Sequence, residues 1–417
     1  MPGAPKVQPA SAENGRPPRT VADYPTPHRS AGDLLAPVRN GFRLAGPGSS
    51  GRLRHVWEKA GTAPPRLRSV RLLTGAATDE LAMGFARLFG MANAGEQLPR
   101  IEAEMLEALA LYRDNGWLDD PTSFHGIPAA PTPRTRYKEA LGSRWEILEW
   151  ESSYLPDPAD PGASRWAGYA RNVQAIARVL RHTEPRPWLV LLHGAFMGFL
   201  TTDARMFDAA RLHEELGVNV VMPVLPLHGP RRPEGGLLPR SLPTIDALDN
   251  VHGLAQSTAD VRALLRWIRT QDDEPIGLYG VSLGSYVTAL VGALEEPLAC
   301  LIAGIPAVDF TTVFRSQTPP RIRRTEWYER FMREMTELHT VVSPALAVPR
   351  TPVERRFIYA GRGDRILRPL EQAAQLWRLW GEPEIYWFDG GHVAHVRSPD
   401  IRRFTDQALL AAGMTTR

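Results

Sequence analysis

The stretch Ile276-Gly277-Leu278-Tyr279-Gly280-Val281-Ser282-Leu283-Gly284-Ser285 decides how the rest of the chain is read. Its first half is a short apolar run of the length and density of a buried strand. Its second half opens a longer apolar segment, Leu283 to Glu295, with helical character. Between them Gly280, Val281, Ser282, Leu283 and Gly284 form G-x-S-x-G. A serine hydroxyl is a weak nucleophile and has to project where a base can take its proton. A sharp strand-to-helix turn projects it, and glycines two residues to either side permit the tight backbone. The helix start also offers N–H groups to a developing oxyanion. The bare pattern is weak; taken alone, it is also satisfied by a Gly/Ser turn without chemistry.

Working outward, apolar runs recur at intervals. Upstream lie Arg144 to Tyr154, Trp188 to His193 and Val218 to Met222; Asn172 to Arg181 fits strand or helix. Downstream lie Cys300 to Ile305, Phe357 to Ala360 and Ile385 to Phe388. Helical patterns fill the gaps at Asp203 to Leu216, Thr244 to Thr270, Leu370 to Trp380 and Ile401 to Ala411. Strands alternating with helices predict an α/β protein with a mostly parallel sheet covered on both faces. Reactive groups then belong on loops at the carboxyl ends of the strands.

Three such loops carry candidate chemistry. The run WLVLLH ends in His193-Gly194-Ala195-Phe196-Met197-Gly198. Its backbone can supply the second oxyanion donor: Ala195 N–H, with Phe196 as the neighbouring alternative, beside Leu283 N–H from the helix start. The His193 imidazole is read as a brace for that loop. The strand at Phe357 leads into Gly361-Arg362-Gly363-Asp364, and the strand at Ile385 into Asp389-Gly390-Gly391-His392. Asp364 is the candidate acid and His392 the candidate base, the carboxylate holding the imidazole tautomer. Asp364 could instead pair with Arg362 or Arg365 on the surface. Asp309 is the alternative acid, and His395 the alternative base.

Together these residues resemble the α/β-hydrolase superfamily over about Trp145 to Ala411. Within it, PRPWLVLLHG (185–194), VVMPVLPLHGPR (220–231) and IYAGRGDR (358–365) look like a poorly characterised bacterial group with a helical N-terminal extension. The resemblance implies an eight-stranded, mostly parallel sheet and a Ser282, Asp364, His392 triad in the chain order of that fold. The resemblance identifies a reaction class and not a substrate; the reading taken here is a cofactor-free, metal-free reaction on a small-molecule ester or acyl substrate. The expected activity is cleavage of carboxylic esters or thioesters through an acyl-enzyme. An amidase or acyltransferase would use the same triad, and a binding module on this scaffold would not use it. Where many relatives carry an acidic residue and a serine after the fourth strand, this chain has His228, which could face the pocket or solvent.

The segment from 309 to 351 is the usual place for a small cap. It holds Arg315, Arg321, Arg323 and Arg324, then Trp327, Tyr328, Phe331 and Met332 at helical spacing. Such a stripe is either packing or an acyl-binding wall. The arginines form a solvated face or attract an anionic substrate.

The N-terminal part reads differently. Residues 1–65 are rich in Pro, Gly and Arg and predict a mostly disordered tail. A helical extension follows over 66–140, with helices at Thr78 to Met91 and from Pro99 to about Tyr112, then a proline-rich connection from Pro121 to Arg136. The hydrolase domain takes 141–417. The formal charge is +3 in 417 residues, carried mostly by arginine, without the clustering that nucleic-acid binding requires. Cys300 is the single cysteine, so no intramolecular disulfide forms. No apolar run has signal-peptide or membrane-span character, so the default compartment is cytoplasmic.

Overall fold

The computed structural model describes residues 79, 94–234, 241–393 and 398–415. The tail expected over 1–65, His395, and the helix expected over Thr78 to Met91 (Asp79 apart) lie outside the described residues.

A sheet of nine strands runs in the order β1-β2-β3-β5-β4-β6-β7-β8-β9. The strands are β1 (Arg134–Ala140), β2 (Ser143–Glu151), β3 (Gln174–Leu180), β4 (Trp188–Leu192), β5 (Asn219–Pro223), β6 (Ile276–Val281), β7 (Cys300–Gly304), β8 (Arg356–Gly361) and β9 (Glu384–Phe388). β1, β2, β3 and β5 pair antiparallel, and every pairing from β5 through β4 to β9 is parallel. The count corrects the expected eight. The extra strand is β1, whose residues are exposed except for half-buried Ala140. A strand with neither face buried leaves no apolar alternation, so RTRYKEA reads as loop. The segment from Asn172 to Arg181 resolves as the end of a short helix, Ala170–Val173, followed by strand β3.

β4 through β8 are buried along their whole length, because helices cover both faces. Along β4, Trp188, Val190 and Leu192 enter one apolar cluster and Leu189 and Leu191 the other, the two-residue period of a strand. Among the helices of the described residues are α1 (Ala94–Asp114), α2 (Leu200–Phe207), α3 (Ala209–Glu214), α4 (Ala247–Arg269), α5 (Leu283–Leu294), α6 (Phe310–Gln317), α7 (Pro320–Arg323), α8 (Glu326–Leu338), α9 (Ala373–Leu379) and α10 (Pro399–Ala411). The single helix expected at 203–216 is two, broken at Asp208, whose φ is +55°. A left-handed residue cannot continue a right-handed helix.

α1 begins at Ala94, five residues before Pro99, which falls inside it. Its Ile101, Met105, Leu109 and Tyr112 join the same apolar cluster as α4 and α8. Arg165 bridges α1 and α4, reaching Glu104 at 2.7 Å and Asp249 at 2.9 Å. The helices α6, α7 and α8 occupy the segment between β7 and β8. Tyr328, Phe331 and Met332 on α8 are buried in the large cluster and so serve packing, with Trp327 Nε1 donating to Glu102 of α1. Arg315 pairs with Glu329 at 2.6 Å. No described helix is long and apolar enough to cross a membrane.

Candidate active site

The turn between β6 and α5 is built by what its neighbours lack. A Cβ on Gly280 would lie 2.2 Å from Gly284 O, and one on Gly284 would lie 1.9 Å from Leu192 O. Both positions therefore have to be glycine. Ser282 between them takes φ +54° and ψ −116°, a conformation costing about 1–3 kcal/mol that persists only where the surroundings impose it. Those surroundings are bonds from Ser282 N to Gly304 O at 2.9 Å and from the Ser285 hydroxyl to Gly280 O and Gly304 O, both at 2.8 Å.

Two further loops close on this serine. His392 Nε2 lies 3.1 Å from Ser282 Oγ, and His392 Nδ1 lies 2.7 Å from Asp364 Oδ2. With Nδ1–H donating to the carboxylate, Nε2 is left as acceptor for the serine hydroxyl. The second Asp364 oxygen accepts from Ile366 N at 2.9 Å and Leu367 N at 2.7 Å, so the carboxylate cannot swing away. The loops after β8 and β9 are pinned together: Arg362 N donates to Phe388 O at 2.9 Å and Gly363 N to Gly390 O at 3.0 Å.

Burial disfavours charge on the His392 ring. The Asp364 carboxylate, its hydrogen bond, and the charge of Asp79 outweigh that and raise the ring above its usual 6.5. Burial pushes the Asp364 carboxyl up, and the facing ring pulls it back down.

The loop after β4 lies on the other side of Ser282. A Cβ on Gly194 would touch Ser282 Cβ at 3.5 Å. His193 is buried; its Nδ1 bonds Gly194 O at 2.8 Å and its Nε2 accepts from Leu225 N at 3.1 Å. Burial drives this ring down to about 4, so it stays neutral. At the far end of the loop, Arg178 donates to Gly198 O at 2.7 Å and pairs with Asp203 at 3.2 Å, while Gly198 N donates to Asp203 at 3.1 Å. Burial pushes Asp203 up to about 6, against the pull of Arg178. Ala195 is half-buried within this braced loop, and Phe196, at φ +63°, is 60% exposed. The first N–H groups of a helix have no partner inside it; Leu283 opens α5 in that position.

The other sequence candidates have different occupations. Asp309 caps α6, accepting from Thr311 N at 2.8 Å and Thr312 N at 3.3 Å. Asp389 pairs with Arg362 at 3.0 Å. His228 is neither at the surface nor free to face a substrate: it is fully buried, with Nδ1 bonded to Pro226 O at 2.9 Å and Nε2 to Ser241 Oγ at 2.8 Å. The reason is the close approach of Gly229 to Gly198, which folds its loop beneath the loop after β4. Arg178, Asp203 and Asp79 were not singled out in the sequence. Among the described residues no group of three or more His, Cys, Asp or Glu side chains is arranged to hold a metal ion.

A G-x-S-x-G turn after a central parallel strand, with a carboxylate and an imidazole on later strand ends, is the arrangement of an α/β-hydrolase fold. The sequence matches the profile described as the alpha/beta hydrolase family over residues 189–401, and the chain belongs to that family. It is 38% identical over 400 residues to two proteins described as uncharacterised in Mycobacterium tuberculosis, strains CDC 1551 and H37Rv, covering 90% of this chain and 94% of each relative. Among solved structures, an acetyl xylan esterase from a Thermoanaerobacterium species matches with a TM-score of 0.49 and 16% identity, over 73% of this chain and 94% of that one.

Proposed function

We propose that this hydrolase-family chain is a serine esterase acting on carboxylic esters or thioesters through an acyl-enzyme. The observation that carries the proposal is the continuous line from Asp364 through His392 to Ser282, with bonds of 2.7 Å and 3.1 Å. Ser282 Oγ attacks the acyl carbonyl as its proton passes to His392 Nε2. The oxyanion is stabilised by the N–H groups of Leu283 and Ala195. Collapse of the tetrahedral intermediate expels the alcohol or thiol, which takes the proton from Nε2. Water then attacks the acyl-enzyme, giving its proton to the same nitrogen, and the acid leaves as Ser282 recovers its hydrogen. Each oxyanion donor is worth about 10²–10³ in rate in sites of this kind.

The test is turnover of a panel of p-nitrophenyl esters, thioesters and anilides of increasing acyl length. Turnover of esters or thioesters that vanishes in Ser282→Ala supports the proposal. Anilide turnover exceeding that of matched esters would make the chain an amidase instead. Absence of any Ser282-dependent turnover in folded protein points to a binding module.

A further inference from the structure

One buried carboxylate near the site comes from far outside the hydrolase core. Asp79 is fully buried, and both its oxygens accept hydrogen bonds from backbone N–H groups. One oxygen takes His392 N at 2.7 Å and Arg365 N at 3.0 Å; the other takes Val393 N at 3.1 Å. Arg365 adjoins Asp364, and His392 and Val393 lie on the partner loop. A single side chain therefore ties the loop of the acid to the loop of the base. Building on the serine-esterase reading, we propose that Asp79 is a positioning residue for His392: it fixes the backbone that carries the imidazole and places a second negative charge beside the ring.

The rationale is that a catalytic base has to be held to within a fraction of an ångström, and displacement by about 1 Å can cost 10²-fold in rate. Short bonds to a carboxylate are the stronger kind. Among the described residues, three groups beside the imidazole carry the argument. Asp364 on the β8 loop bonds Nδ1, the Ser282 hydroxyl on the elbow faces Nε2, and Asp79 lies beneath the backbone. On the ring's own loop, Asp389 turns to Arg362. Of the elements nearby, His193 is held neutral and Asp309 is spent on capping α6. Asp79 thus adds to Asp364 in favouring the protonated ring. The N-terminal extension would then be a working part of the site.

The experiment is the pH profile of kcat/KM for p-nitrophenyl butyrate in the full chain, for wild type, Asp79→Asn and Asp79→Glu, with Ser282→Ala as control. Removing the charge lowers the pKa of the base. In Asp79→Asn the acidic limb is expected to move to lower pH by several tenths of a unit, and the plateau to fall about 10- to 100-fold as His392 loosens. Asp79→Glu keeps the charge with a longer stem, so its limb stays in place while the plateau drops. Should the asparagine variant not fold, because its NH₂ faces an N–H group, Asp79→Ala carries the same expectation without the misdirected donor. A folded neutral variant whose acidic limb coincides with wild type overturns the proposal, whatever its plateau. Failure of the underlying esterase reading looks different: wild type itself shows no Ser282-dependent turnover.

Discussion

The loops after β4 and β9 each present a histidine at the carboxyl edge of the sheet, His193 buried and His392 half-buried, and their surroundings are opposite in sign. Burial, together with the charges of Arg178 and Arg231, brings His193 down to about 4. His392 faces Asp364 and Asp79, which overcome burial and raise it. Both rings use both nitrogens. One is a neutral spacer that fixes a backbone loop; the other, in the proposed mechanism, takes up and releases a proton. Burial alone does not make a histidine a base; neighbouring carboxylates do.

The largest effect is expected at the carboxylate. Asp364→Asn should lower kcat by about 10⁴-fold, since an amide stabilises neither the tautomer nor the imidazolium. Asp309→Asn should leave kcat within about 2-fold and cost at most about 1 kcal/mol of stability, as a weakened cap does. Equal losses in the two variants would undo the distinction between them.

On the β4 side, Arg178→Met should destabilise the protein by about 3–5 kcal/mol in denaturant unfolding, because it leaves Asp203 buried without its cation. A change under about 1 kcal/mol would mean that the pair does not brace the loop.

His193→Gln is the sharper probe. It should reduce kcat/KM by about 10-fold through a looser oxyanion loop while leaving the acidic limb of the pH profile in place, since His193 is neutral throughout that range. A moved limb would give the two histidines shared duty.

The smallest expected effect is the position of that limb in wild type. A raised His392 is protonated at higher pH than a free imidazole. kcat/KM should therefore fall as pH drops through an apparent pKa above 6.5, the unperturbed value. A midpoint well below 6.5 would contradict the two-carboxylate environment.

Much of this was legible in the sequence, for identifiable reasons. The buried parallel strands are dense apolar runs, and Ser282, Asp364 and His392 each follow one within a few residues, two of them after glycines. β1 was not legible because it is an exposed edge strand with no buried face to impose alternation. The apolar stripe of α8 was visible as a stripe, yet its burial against α1 depends on tertiary placement that periodicity does not carry. His228 was misplaced because the tight Gly198–Gly229 approach that buries it joins two loops about thirty residues apart. Asp79 had no local signal: its bond to His392 spans 313 residues of chain.

If Ser282 is a nucleophile whose reactivity depends on His392, incubation with a fluorophosphonate followed by peptide mass spectrometry yields one adduct, on the peptide containing Ser282, lost in Ser282→Ala and strongly suppressed in His392→Ala. No adduct in folded wild-type protein, or labelling that survives either substitution undiminished, would contradict that reading.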